Sequence, residues 1–181
     1  MFRRVFLTSA TALFLALAVP ATVQAQSFYI SGGGAFPNGD FGDVVDTGWV
    51  IAGGVIMDVG EGGLWAGIDG TYGRHSTPID GFNAKPFGLM GVLGFSFPTA
   101  GNVDPYIFGG GGLQGVSVSF LAFDSESDSA FGYQLGGGLV FGNANSGMRP
   151  YVEARFQGSN ADEVDLSFFG ILAGLTFSAG N

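Results

Sequence analysis

Along most of the chain, apolar residues recur at every second position. The last stretch, Leu166 to Phe177, shows this most clearly: Phe177, Leu175, Ala173, Ile171 and Phe169 form an unbroken apolar row, and Thr176, Gly174, Leu172, Gly170 and Phe168 fill the other parity. Successive side chains on a strand point to opposite faces, so this spacing predicts a strand with one oily face and one small or mixed face. A tilted strand of roughly 10 residues crosses a bilayer. In lipid its unpaired backbone groups would be costly, so such a strand requires neighbours that close into a ring.

Seven earlier segments supply those neighbours. Phe28 to Phe36 has an ambiguous parity, because glycine carries no face. In Trp49 to Met57, the row Trp49, Ile51, Gly53, Val55, Met57 opposes Val50, Ala52, Gly54 and Ile56. Leu64 to Arg74 sets Leu64, Ala66, Ile68, Gly70 and Tyr72 against Trp65, Gly67, Asp69, Thr71 and Gly73. Phe87 to Phe97 has Phe87, Leu89, Gly91, Leu93, Phe95 and Phe97 on one side, with aromatics at both ends where interfacial girdles belong. Tyr106 to Val116 runs through four consecutive glycines, Gly109 to Gly112, and Phe131 to Phe141 sets its aromatic and leucine row against Gly132, Gln134, Gly136, Gly138 and Val140. In Tyr151 to Gln157, Val152, Ala154 and Phe156 oppose Tyr151, Glu153, Arg155 and Gln157.

The connections alternate in length and polarity. Pro37 to Gly48, His75 to Pro86, Ser117 to Ala130 and Gly158 to Asp165 read as longer or more polar loops. Asp58 to Gly63, Pro98 to Asp104 and Asn143 to Met148 read as tight turns rich in Gly, Asn and Pro. An even strand count with long loops on one side and short turns on the other is the wiring of an up-and-down outer-membrane barrel, with both termini on the periplasmic side.

The N-terminus fits that destination. Met1 to Arg4 is a basic head, Val5 to Val19 an apolar run ended by Pro20, and Val23-Gln24-Ala25 a small-residue cleavage site. Residues 1–25 are therefore expected to be a signal peptide and residues 26–181 a single barrel domain. The run is short for a spanning helix of about 20 residues.

Composition narrows the chemistry. There is no cysteine, hence no disulfide scaffold and no thiol nucleophile. Glycine is 34 of 181 residues with only 7 prolines and no collagen-like period, while 46% of residues are hydrophobic, so neither collagen nor disorder fits. Removing Arg3 and Arg4 leaves four basic residues against fifteen acidic ones, a formal charge of −11. Phosphate binding along a nucleic acid needs clustered Lys and Arg, so nucleic acid is not an expected partner.

The chain resembles the small OmpA/OmpX-like eight-stranded outer-membrane β-barrels, a porin-like family whose members often lack a second domain. The resemblance rests on the export signal, on Gly-Tyr-Gln-Leu-Gly-Gly-Gly-Leu-Val-Phe at 132 to 141, on Pro-Tyr-Val-Glu-Ala-Arg-Phe at 150 to 156 and on the terminal aromatic strand. It implies an all-β, antiparallel up-and-down transmembrane barrel, resident as a monomer in the outer membrane of a Gram-negative-type bacterium after export to the periplasm. Outer-membrane lipids and the barrel assembly machinery would be its partners, and Phe169, Ile171, Leu175 and Phe177 would carry the assembly signal. Family members often end on the last aromatic, whereas here Ser178-Ala179-Gly180-Asn181 follow Phe177.

The competing architecture is an exported soluble barrel, lipocalin-like, with Phe87, Leu89, Leu93 and Phe95 around a ligand cavity and Asp69, Glu153 and Arg155 in water. The faces opposite the oily rows argue against it, since they are mostly Gly, Ala, Ser and Thr with few charges. Small residues suit the narrow interior of eight strands.

Within such an interior, Asp69, Gln134, Glu153, Arg155 and Gln157 form the expected polar network, because an unpaired buried charge is costly. Glu153 and Arg155 share a face roughly 7 Å apart by strand rise. They pair with each other, with Asp69, or through Gln134 and Gln157, either as a structural filling or as a switchable gate in a narrow pore or small-ligand carrier. His75 is the sole histidine and would have to carry any lipid-modifying acid–base chemistry, yet its neighbour Ser76 points to the opposite face and a histidine at a strand end is expected to be solvated. No phosphate-loop, paired-carboxylate or metal-ligand motif is present, and no cofactor is implied. Ten of the fifteen acids fall in the long connections: Asp40, Asp43 and Asp46, then Asp80, then Asp124, Glu126 and Asp128, then Asp162, Glu163 and Asp165. They read either as a solvated rim or as a collector of divalent cations that couples the rim to an extracellular partner, although no loop has EF-hand spacing. The expected role is structural or surface interaction through these loops, without catalysis.

Overall fold

The computed structural model describes residues 26–77, 82–120, 123–143, 145–159 and 166–179. Eight antiparallel strands follow one another around a closed barrel: β1 (Gln26–Asn38), β2 (Gly48–Asp58), β3 (Leu64–Ser76), β4 (Phe82–Ser96), β5 (Val103–Phe120), β6 (Phe123–Phe141), β7 (Met148–Ser159) and β8 (Ser167–Ala179). A short helix, α1 (Gly39–Val44), sits between β1 and β2. β8 closes the ring against β1 in an unbroken antiparallel register from Gln26 opposite Ala179 to Asn38 opposite Ser167, so neither strand is left with an open edge.

Orientation follows the alternation. Ile30, Ile51, Leu89, Leu93, Ile107, Phe131, Leu135 and Ile171 lie on the outer surface, while Val50, Ala52, Met90, Val92, Gln134, Arg155 and Leu172 on the other parity are buried. This is the inverse of a soluble protein, and it excludes the lipocalin-like arrangement, in which the oily rows would be enclosed. The strand whose parity glycine obscures resolves in the same way, with Phe28 and Ile30 outward and Tyr29 and Ser31 inward.

Glycine abundance has a packing cause. Large luminal rings lie across the neighbouring strand at positions where that strand has no side chain: a Cβ on Gly94 would fall 2.1 Å from Cζ2 of Trp65, and one on Gly138 would fall 2.7 Å from the Tyr106 hydroxyl. The β2–β3 turn uses glycine differently, with Gly60, Gly62 and Gly63 at φ of 73°, 107° and 91°, in the left-handed region where a Cβ is strained.

Two connections differ from expectation. The β3–β4 loop is shorter than His75 to Pro86, because Ser76 pairs with Asn83 and His75 with Ala84. The stretch Ser117 to Ala130 is largely strand, since β5 and β6 pair on to Val118 opposite Glu126 and Phe120 opposite Phe123, with an irregularity between Val118 and Phe120. Asp124, Glu126 and Asp128 therefore stand on β6 and not in a loop. Backbone pairing needs no apolar face, so the ladder runs on into a stretch rich in serine and acidic residues. The tight turns come out as Val59–Gly63, Phe97–Asn102 and a connection from Gly142 to Gly147.

Candidate functional site

The inward row of each strand fills the lumen in three layers. On the turn side Trp65, Val92, Tyr106, Phe108 and Tyr151 pack together with Tyr29, Ile56 and Val140 beside them. On the loop side Ala35, Phe41, Val45, Val50, Ala52, Ala84, Leu166, Phe168 and Leu172 form an apolar plug. Between these lies a polar belt.

The belt centres on Arg155, which is 1% exposed. Its Nε donates to Glu153 Oε1 at 2.6 Å and its Nη1 to Asp69 Oδ2 at 2.8 Å, while its guanidinium lies 5.5 Å above the Phe108 ring centre. One cation thus serves two buried carboxylates. The surplus negative charge is met by neutral donors: the Tyr29 hydroxyl donates to Asp69, Gln134 Nε2 donates to Asp69 Oδ2 at 3.0 Å, and the Tyr106 hydroxyl donates to Glu153 Oε2 at 2.7 Å. Gln157 Nε2 extends the chain to Gln134 Oε1 at 2.9 Å. Charge-assisted bonds of this kind are the strong ones, and their donors come here from β1, β5, β6 and β7.

The structure therefore brings together Asp69, Gln134, Glu153, Arg155 and Gln157. It adds Tyr29, Tyr106 and Phe108, which the sequence reading did not single out. Tyr29 sat in the glycine-blurred first segment, and an inward aromatic such as Tyr106 has the same sequence signature as an interfacial one. Below the belt, a cavity of about 80 Å³ is bounded by Tyr29, Trp65, Tyr106, Tyr151, Glu153 and Arg155, among others.

His75 is not solvated. On β3 it continues the inward row of Trp65, Asp69 and Gly73, and it is fully buried in the plug. Its ring packs edge-on against Phe41 of α1 at 5.3 Å between centres and at a tilt against Phe168 at 6.1 Å. Nδ1 lies 2.9 Å from the Asp46 carbonyl oxygen, and Nε2 is buried without a hydrogen-bond partner. Ser76 faces outward and cannot serve it.

Among the acids, Asp40 and Asp43 lie on α1 and Asp46 just beyond it, all exposed to solvent. Among the described residues no group of three acidic or histidine side chains is placed to hold a metal ion. Asp80, Asp162, Glu163 and Asp165 lie outside the described residues. In the closing strand, Phe169, Ile171 and Phe177 are exposed on the outer face, with Leu175 on the same parity.

A family model described as "Outer membrane protein beta-barrel domain" matches residues 9–177. No curated protein sequence matches this chain. Among solved structures, it is similar to Neisserial surface protein A (TM-score 0.73, 14% identity, 86% of this chain and 99% of that one). It is also similar to the outer membrane protein OprG from Pseudomonas aeruginosa (TM-score 0.52, 13% identity, 87% of this chain and 98% of that one). The N-terminal β-barrel domain of Pseudomonas aeruginosa OprF matches at a TM-score of 0.50 and 15% identity, over 85% of this chain and all of that one. At these identities the likeness establishes the fold.

Proposed function

The chain belongs to the outer membrane protein beta-barrel family, and from that premise we propose that it is a closed, non-conducting envelope barrel whose work is done at its outer rim. The observation that carries this reading is the filled lumen, with an aromatic layer, a belt that links five of its polar side chains, and an apolar plug. Eight strands enclose just enough room for side chains. A cylinder so occupied offers mechanical and lipid-facing surface, and it leaves the loops to meet whatever lies outside.

His75 supports the same reading. A catalytic imidazole must reach a proton on its substrate, and this ring is enclosed by Phe41, Phe168 and the Asp46 backbone.

The test is planar-bilayer recording of the purified folded barrel. The reading expects no stepwise current in molar KCl, whereas unitary steps from the unaltered protein would replace it with the narrow-pore alternative.

A further inference from the structure

The four basic side chains of residues 26–181 divide into two kinds. Arg155 is enclosed in the lumen, and Arg149 near the turn-side rim is paired with Asp104 at 2.5 Å. Arg74 and Lys85 have no such partner: among the described residues neither forms an ion pair.

These two residues are side by side. The β3–β4 ladder pairs Tyr72 with Phe87 and His75 with Ala84, and that constant register sets Arg74 directly across from Lys85. Because His75 points inward, Arg74 points outward with Tyr72, and Lys85 points outward with Phe87 and Leu89. Directly opposed residues have Cβ atoms about 4.5–5.5 Å apart, and like charges there repel. In a chain with so few cations, this placement is unfavourable unless an anion lies between them. Arg74 Nε donates to Asn83 Oδ1 at 3.1 Å, which anchors the guanidinium on that side.

Their height on the barrel suggests which anion. Trp49 and Tyr72, with ring centres 6.0 Å apart, and Phe87 form the loop-side aromatic girdle. From Phe87 to Phe97 the outward row of β4 and its turn covers roughly 33 Å of strand, which at a tilt near 40° matches an apolar band about 25 Å tall. Arg74 and Lys85 lie one outward step beyond Tyr72 and Phe87, with Arg74 directly across from Trp49, where hydrocarbon gives way to headgroups. The exposed Asp40, Asp43 and Asp46 of the adjacent rim would repel anions in general, so the attraction is local to this pair.

We infer that Arg74 and Lys85 form a clamp for the phosphate of a lipid headgroup in the outer leaflet, with the lipid's chains lying on Tyr72, Phe87 and Leu89. Arginine and lysine are the two side chains suited to phosphate, the first through its planar fork and the second as a point charge. A lipid is favoured over free phosphate because the pair faces the membrane beside an apolar wall, where anchoring supplies a high local concentration.

The test uses the barrel purified folded from outer membranes into non-ionic detergent. It is titrated separately with diphosphorylated lipid A, with the same lipid A stripped of both phosphates, and with inorganic phosphate, and bound species are counted by native mass spectrometry. The expected result is binding of the phosphorylated lipid at least roughly tenfold tighter than its stripped form, the scale of one charged hydrogen bond. That preference is expected to vanish in R74Q/K85Q and to survive in the charge-preserving R74K/K85R, both checked for heat-dependent gel migration. Equal binding of the two lipids by the unaltered protein, a preference that persists in R74Q/K85Q, or inorganic phosphate competing as well as lipid A would each overturn the assignment.

Discussion

Arg155 and Asp69 are 86 residues apart in sequence and 2.8 Å apart in the lumen, each with about 1% of its side chain exposed. The same guanidinium holds Glu153, so a single cation balances two carboxylates. The consequence is an asymmetry between partners that a simple ion pair would not show. Asp69→Asn leaves Arg155 and Glu153 as a one-to-one pair and keeps a hydrogen-bond acceptor, so the expected loss is about 1–3 kcal/mol. Arg155→Met leaves two buried carboxylates without a cation and is expected to cost about 3–5 kcal/mol or more. Urea unfolding of the barrel in lipid vesicles, followed by gel migration, ranks the two. Equal losses would contradict the shared-cation arrangement.

Gly94 makes a prediction about packing. The Trp65 ring occupies the space where a side chain at this position would go, so Gly94→Ala forces the ring or the strand to move, an overpacking cost of about 1–3 kcal/mol. Trp65 also donates from Nε1 to Ser96 Oγ at 3.1 Å, and displacing the ring lengthens that bond. Shortening the partner should relieve the strain, so Gly94→Ala is expected to cost less when combined with Trp65→Leu than the sum of the two single changes. A double-mutant cycle on urea midpoints measures this coupling, and strict additivity would count against the contact.

How much of this site could be read beforehand depended on what surrounds each residue in sequence. Asp69, Gln134, Glu153, Arg155 and Gln157 were legible because each stands on the small or polar parity of a strand whose other parity is oily, so facing fixed their enclosure. Tyr29 was not, since Gly32, Gly33 and Gly34 follow it and remove the alternation that defines a face. His75 escapes the pattern because Arg74-His75-Ser76 is a polar run at the end of β3, and only the packing of Phe41 and Phe168 over it encloses the ring. Asp124, Glu126 and Asp128 were misplaced for a related reason: pattern reports lipid on one side of a strand, and above the membrane there is no lipid to report.

His75 holds the outer closure by shape and neutrality. Its Nε2 has no acceptor and its ring lies between Phe41 and Phe168, so a permanent charge at this position would have only the Asp46 carbonyl and no counter-charge to offset its burial. His75→Leu keeps the packing and removes the unpartnered Nε2 at the cost of the Nδ1 contact with the Asp46 carbonyl, and α1 is expected to stay seated. His75→Lys is expected to lift α1 so that its ammonium reaches water. Chymotrypsin reads the difference, because Phe41 is only 3% exposed when α1 is seated. Cleavage after Phe41 should be slow in the unaltered protein and in His75→Leu, and many-fold faster in His75→Lys. Comparable rates in all three would show that the helix does not depend on this contact.

The layering of the lumen leads to the last prediction, which concerns permeability. The belt and the plug are stacked along the barrel axis, the first built from Asp69, Glu153 and Arg155 and the second from Phe168, Leu172, Val50 and Phe41. Obstacles in series each have to be opened before an ion can pass. Asp69→Ala with Arg155→Ala empties the belt but leaves Phe168 and Leu172, which are 2% and 1% exposed, across the path. That double variant is therefore expected to remain closed. Phe168→Gly with Leu172→Gly thins the plug but leaves the cross-linked belt, and is expected to remain closed as well. The four changes together still leave the aromatic layer of Trp65, Tyr106, Phe108 and Tyr151, so stepwise current in a planar bilayer is expected only when Trp65→Gly and Tyr106→Gly are added to them. Steps from the belt variant alone would mean that the apolar layer does not seal and that the charged belt is itself the gate.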